Sequence, residues 1–113
     1  MSHPVVNDLP ALAAGLIADA RAASSGRASR TIFGGNGETL HQTLVALAGG
    51  RGLASHTNPG QATVLILLGS ATLLGGPEPL FGTEGTLLAV PDGEHSLTTD
   101  EDTVLLLTIA HAT

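Results

Sequence analysis

Glycine and proline clusters cut the chain into many short runs of strand-forming residues, and this punctuation limits the folds open to it. The runs are Thr31 to Phe33, Thr39 to Leu47, Gly52 to Ser55, Thr63 to Leu68, Ser70 to Leu74, Thr86 to Val90, His95 to Thr98 and Thr103 to Ala110. Between them lie Gly34-Gly35-Asn36-Gly37, Gly49-Gly50-Arg51-Gly52, Asn58-Pro59-Gly60, Gly75-Gly76-Pro77 and Pro91-Asp92-Gly93, compositions that turn a chain sharply. Strands this short and this closely spaced predict a sandwich or jelly-roll barrel, and they leave no room for alternating strand and helix units.

One segment has a different period. Leu9, Leu12, Leu16, Ile17 and Ala20 fall on one stripe at three-and-four spacing, Asp8 is placed to cap the first turn, and Pro10 fits where no amide hydrogen bond is needed. The spacing predicts a helix over Pro10 to Ala23 that covers a sheet, followed by a polar connector, Ser24 to Arg30, around Gly26. Residues 1–30 are thus expected to form a helix and connector, and 31–113 a barrel. A chain of 113 residues supports one core and not two. In the last run, Val104, Leu105, Leu106, Leu107 and Ile109 supply apolar groups to both faces, so its outer face must meet a second sheet, the helix or another subunit. A homodimer is the expected assembly.

Charge and composition exclude several partners. The chain has four arginines, no lysine and ten acidic residues, a net charge of -6, which disfavours nucleic acid and anionic membranes. It has no cysteine, hence no disulfide and no thiolate ligand. Phe33 and Phe81 are its only aromatic residues besides histidine, too few for a platform that stacks bases. Met1 to Leu9 lack the pattern of a secretion signal and Val64 to Leu68 is far too short to span a bilayer, so a cytoplasmic location is expected.

The glycine corners and two histidines carry a family resemblance. In GRGLASHTNPGQATVLILLG, Gly50, His56 and Gly69 match the first motif of the cupin superfamily, with Asn58 where a second histidine stands and Ala62, next to Gln61, where a glutamate stands. In GTLLAVPDGEH, Gly85, Pro91, Gly93 and His95 match the second motif, with one residue fewer than usual before the histidine and Thr99 where an asparagine often lies. The leading helix, Gly26-Arg27-Ala28 and the segments LHQTLVAL, HTNPGQATVL and EDTVLLLT extend a resemblance to short, single-domain, RmlC-like cupins over nearly the whole chain. The resemblance implies an all-β fold, a double-stranded β-helix or cupin jelly-roll barrel, with one N-terminal helix. It carries no particular substrate or reaction.

Neutral imidazoles suit a divalent transition metal such as Zn, Fe, Ni, Mn or Cu, and a barrel can bring His56 and His95 together from distant strands. Two of the four ligand positions of a metal cupin are kept. His41 is a candidate third imidazole if Val45 and Leu47 point inward, because it shares their strand parity. Gln61 is a candidate amide donor, and Asn58 is either a pocket residue or part of the turn before Pro59. His3 and His111 lie near the termini, where flexible polar residues are the ordinary expectation; His111 also follows the apolar pattern of the last strand and need not belong to any site. Glu78 and Glu84 read as a solvated acidic loop, and Glu101 and Asp102 as a hairpin turn. Three functions stay open: a small-molecule-binding protein with a pocket of His56, Asn58, Gln61 and His95; a metal-dependent oxygenase, isomerase or decarboxylase; and a non-catalytic, dimeric interaction or sensing module.

Overall fold

The computed structural model describes residues 6–35, 37–57 and 60–111. One helix, α1 (Leu9–Ala22), precedes nine strands: β1 (Arg27–Phe33), β2 (Leu40–Leu47), β3 (Gly52–His56), β4 (Gly60–Leu68), β5 (Ser70–Leu74), β6 (Leu80–Thr83), β7 (Leu87–Ala89), β8 (His95–Thr98) and β9 (Thr103–His111). They form two antiparallel sheets, one in the order β1-β2-β9-β4-β7 and the other β3-β8-β5-β6. No ladder joins the two sheets among the described residues.

Strand alternation divides the apolar residues into two layers. Val45, Leu47, Val64, Ile66, Leu88 and Leu105 on the larger sheet meet Ala71, Leu73 and Leu97 on the smaller, and this is the core between the sheets. The residues between them in sequence, Leu44, Ala46, Val104 and Leu106, point the other way and pack against Ala13, Leu16, Ile17 and Ala20 of α1. The larger sheet is therefore buried on both faces along β2 and β9. That accounts for the lost alternation in Val104 to Leu107: the helix takes up the outer face, so no second subunit is needed to cover it.

Local chemistry fixes the helix. The Asp8 carboxylate accepts from Ala11 N–H at 3.2 Å, and Pro10 lies in the first turn, where its missing amide costs nothing. At the other end Arg21 forms an ion pair with Asp102, whose second oxygen accepts from Gly49 N–H at 2.9 Å. Asp102 thus joins the helix, the β2–β3 turn and the start of β9. A second tie lies beside it: Thr103 Oγ1 donates to the Ser70 carbonyl at 2.8 Å and accepts from Ser70 N–H at 3.3 Å, while Ser70 Oγ donates to Glu101 at 2.9 Å. The β4–β5 corner can sit this close because Gly69 has φ +81° and no Cβ; an added Cβ would lie 2.2 Å from the Asp102 carbonyl oxygen.

The structure differs from the sequence expectations in three places. β1 starts at Arg27, so most of the expected connector is strand, paired with β2 from Arg27 opposite Leu47 onward. Its polar sequence hid it: Arg27, Ser29 and Thr31 share the inward side of the sheet, yet they stand at an open edge where polar groups remain solvated. β6, around Leu80 and Phe81, was expected to be loop; pairing with β5, Phe81 opposite Thr72, makes it a strand. Glu101 and Asp102 do more than turn the chain, since they tether β9 to the first sheet corner and the helix.

Two outcomes follow. Leu105→Ala, which empties a fully buried position in the core between the sheets, should lower unfolding free energy by about 2 to 5 kcal/mol in urea titrations. The Gly49 N–H, and then Arg21, hold the Asp102 carboxyl below its ordinary value of 3.8. A depressed carboxyl stabilises the fold above its unfolded pKa, and that contribution is lost as pH falls through the folded one. Asp102→Asn should therefore be less stable than wild type at neutral pH, with the difference shrinking below about pH 4, as measured by thermal melts across pH.

Candidate functional site

The site begins with two strand ends that the fold sets opposite each other. β3 ends at His56 and β8 starts at His95, and the two are register partners across the ladder, after an irregularity between Leu53 and His56. Their rings lie 4.4 Å apart, centroid to centroid, at 62°. His95 is buried and His56 exposed. Both face the end of the apolar core formed by Leu53, Val64, Leu73, Val90, Leu97, Leu105 and Leu107.

Each ring is anchored in the same way. His56 Nδ1 lies 2.9 Å from the carbonyl oxygen of Ala54, and His95 Nδ1 lies 3.1 Å from that of Gly93. A carbonyl can only accept, so each Nδ1 carries the proton and donates it. In the neutral ring this leaves Nε2 unprotonated, with a lone pair to offer a metal or a donor group. Backbone anchoring of one nitrogen is also how metal-ligating histidines are commonly oriented.

Among the described residues, the other candidates do not join this pair. His41 shares the inward parity of Val45 and Leu47, as expected, but its Nε2 bonds the Glu38 carbonyl at 2.8 Å and its ring packs against His111 at 4.3 Å and 61°. Among the described residues no group of three or more histidines, aspartates and glutamates is placed to hold a metal ion, so the set of His56, His95 and His41 is not assembled. Gln61 is exposed and alternates with Ala62 and Val64; it stands on the outer side of the larger sheet, in a recess with Thr63, Thr108 and Ala110. It cannot add a ligand to the histidine pair from there. Asn58 lies outside the described residues, as does His3. Thr99, at the position where an asparagine often lies, is buried and donates to the Arg51 carbonyl at 2.6 Å, a bond that fixes the β2–β3 turn. Glu84 is exposed in the turn between β6 and β7.

His111, near the terminus yet in step with the apolar pattern of the last strand, closes β9 opposite Gly60 of β4. The signal was present in the parity of Leu105, Leu107, Ile109 and His111, which places all four on one side of the strand. Because β3 ends at His56 and β4 starts four residues later, both histidine pairs belong to the same end of the sandwich.

Volume decides what the interior can take. The cavity beside His56 and His95 measures about 20 Å³, enough for roughly one water molecule. Leu53, Leu73, Leu105 and Leu107 fill the remainder. Whatever meets the free Nε2 atoms must therefore approach at the rim and is not enclosed between the sheets.

No protein-family model matches the chain, and no curated protein matches it. Its fold does match solved structures. A conserved protein of unknown function from Streptococcus pyogenes superposes with a TM-score of 0.74 at 26% identity, covering 100% of this chain and 92% of that one. A cupin superfamily protein from Desulfitobacterium hafniense gives 0.70 at 17% identity over 76% and 78%. An RmlC-like cupin from Shewanella frigidimarina gives 0.68 at 16% identity over 79% of each chain. Two antiparallel sheets with this strand order, the motif glycines at their corners and these neighbours together give the conclusion that the protein has the fold of the small RmlC-like cupins.

Proposed function

We propose that the protein is a small-molecule-binding cupin whose His56 and His95 form the polar end of the binding site, at the rim of a jelly-roll barrel. The observation that carries this reading is the shared anchoring of the two rings: 4.4 Å apart and edge to face at 62°, each donates Nδ1–H to a backbone carbonyl, which in the neutral form leaves its Nε2 a lone pair. Such a pair accepts hydrogen bonds from a ligand, or chelates one divalent transition ion. The donor set fits a loosely held, exchangeable metal. It does not fit a resident catalytic metal, which takes about three protein ligands and often a carboxylate, because no third ligand stands near among the described residues. Water or an incoming ligand would complete the coordination of an ion held in this way.

Binding at the rim is favoured over an oxygenase, isomerase or decarboxylase reaction by the filled interior, since chemistry of that kind gains from enclosing substrate and excluding water. The chain's own residues supply orientation through the two anchored rings and an apolar floor through Leu53, Val90 and Leu107.

Two measurements test this reading. Long-range proton–nitrogen correlation spectra at neutral pH should place the proton on Nδ1 in both His56 and His95; an Nε2–H form in either ring would remove the paired lone pairs on which the proposal stands. Calorimetric titration of the metal-free protein with Ni or Zn should give a weak single site, and His56→Ala or His95→Ala should each weaken it by about tenfold or more, while Glu84→Gln leaves it unchanged. Equal affinity in wild type and both histidine variants would overturn the site.

A further inference from the structure

One open recess of the protein lies away from the histidines. It measures about 480 Å³ and lies on the open side of the sandwich, between the edge strand β1 and the edge strand β3, lined by Ser25, Arg27, Ser29, Thr43, Val45 and Leu53 among others. A volume of this order is typical of small-molecule sites, which run from about 300 to 1,000 Å³.

The chemistry of its lining follows from register. Arg27 stands opposite Leu47 and Ser29 opposite Val45, so both share the inward side of the larger sheet with the apolar core. Every other inward position near them is apolar or a hydroxyl, which makes Arg27 the one charged group among the described residues that line the recess. The single ion pair among the described residues is Arg21 with Asp102, so no carboxylate neutralises Arg27 there. The Arg51 side chain crosses the bare Cα of Gly26, where an added Cβ would come within 2.6 Å of its Nε, and the Thr99 bond to the Arg51 carbonyl holds that turn in place. Arg51 thus packs against Gly26, the residue before Arg27.

From this arrangement we infer that the recess between β1 and β3 binds a small organic monocarboxylate with a short aliphatic chain. Arg27 pairs with the carboxylate through its planar fork, Ser29 and Thr43 offer hydroxyl donors, and Val45 and Leu53 form the floor on which the chain lies. This site is separate from the histidine pair, although Leu53 lines both spaces and forms the wall between them.

Amide chemical-shift titrations of the full chain test it, with hexanoate, hexan-1-ol and inorganic phosphate as probes. Hexanoate should saturate and move the resonances of Ser29, Thr43, Val45 and Leu53, with hexan-1-ol and phosphate each weaker, because one lacks the charge and the other the aliphatic chain. Arg27→Gln should weaken hexanoate by about tenfold or more, the loss expected for a charge-assisted hydrogen bond, with Arg27→Lys between the two; a well-dispersed amide spectrum certifies the fold of each variant. A His56→Ala, His95→Ala double variant should bind hexanoate as wild type does, which separates this site from the metal reading. Equal binding of hexanoate and hexan-1-ol, tighter binding of phosphate, or an unchanged affinity in Arg27→Gln would overturn the inference. An Arg27→Gln protein that binds hexanoate normally but self-associates in sedimentation would instead assign Arg27 to guarding the β1 edge against strand pairing.

Discussion

β9 is the strand on which the rest of the protein depends. It lies between β2 and β4 in the larger sheet, pairing with β2 from Leu40–Ala110 to Leu47–Thr103 and with β4 over a similar length. Its alternate residues enter two different apolar layers, Leu105 and Leu107 between the sheets and Val104 and Leu106 beneath the helix. Burial on both faces removes water from a long row of backbone hydrogen bonds, and it couples helix docking to sheet packing. A defect on either face of β9 is therefore felt by both layers.

The polar contacts that matter sit at the ends of this strand. At its start, Asp102 and Thr103 gather the helix, the β2–β3 turn and the β4–β5 corner into one cluster of hydrogen bonds. At its end, His111 meets His41, and the neighbouring sheet brings His56 to His95. The hydrogen-bonded corner and the two histidine pairs thus lie at opposite ends of the sandwich, with the apolar core between them.

Two kinds of polar space result from one fold. At the rim, the histidine pair stands over an interior with room for about one water molecule; on the open side, Arg27 lines a recess more than twentyfold larger than the 20 Å³ cavity. They differ in charge and in size, and they suit different chemistry: lone-pair donors suit a cation or a hydrogen-bond donor, guanidinium groups suit an anion. Leu53 belongs to both linings, so its packing keeps the two apart.

The sequence by itself determined the β-rich class, the helix and the corners, because glycine turns, alternation and the three-and-four stripe from Leu9 to Ala20 are local signals that need no partner. It also singled out His56 and His95, whose motif positions place them at strand ends. Only the tertiary structure decided which residues met. Gln61 and Ala62 are neighbours in sequence and face opposite sides of a sheet; His41 has the right parity but finds His111 first; and β6 and most of β1 are strands because a neighbouring strand pairs with them. Arg27 was invisible as a candidate for the same reason: its inward placement comes from register with Leu47, and the recess it enters exists because β1 and β3 are edges of two sheets that no ladder joins. Pairing and packing act between residues far apart in the chain, and a linear pattern records them only where burial on one face repeats with the period of a strand or a helix.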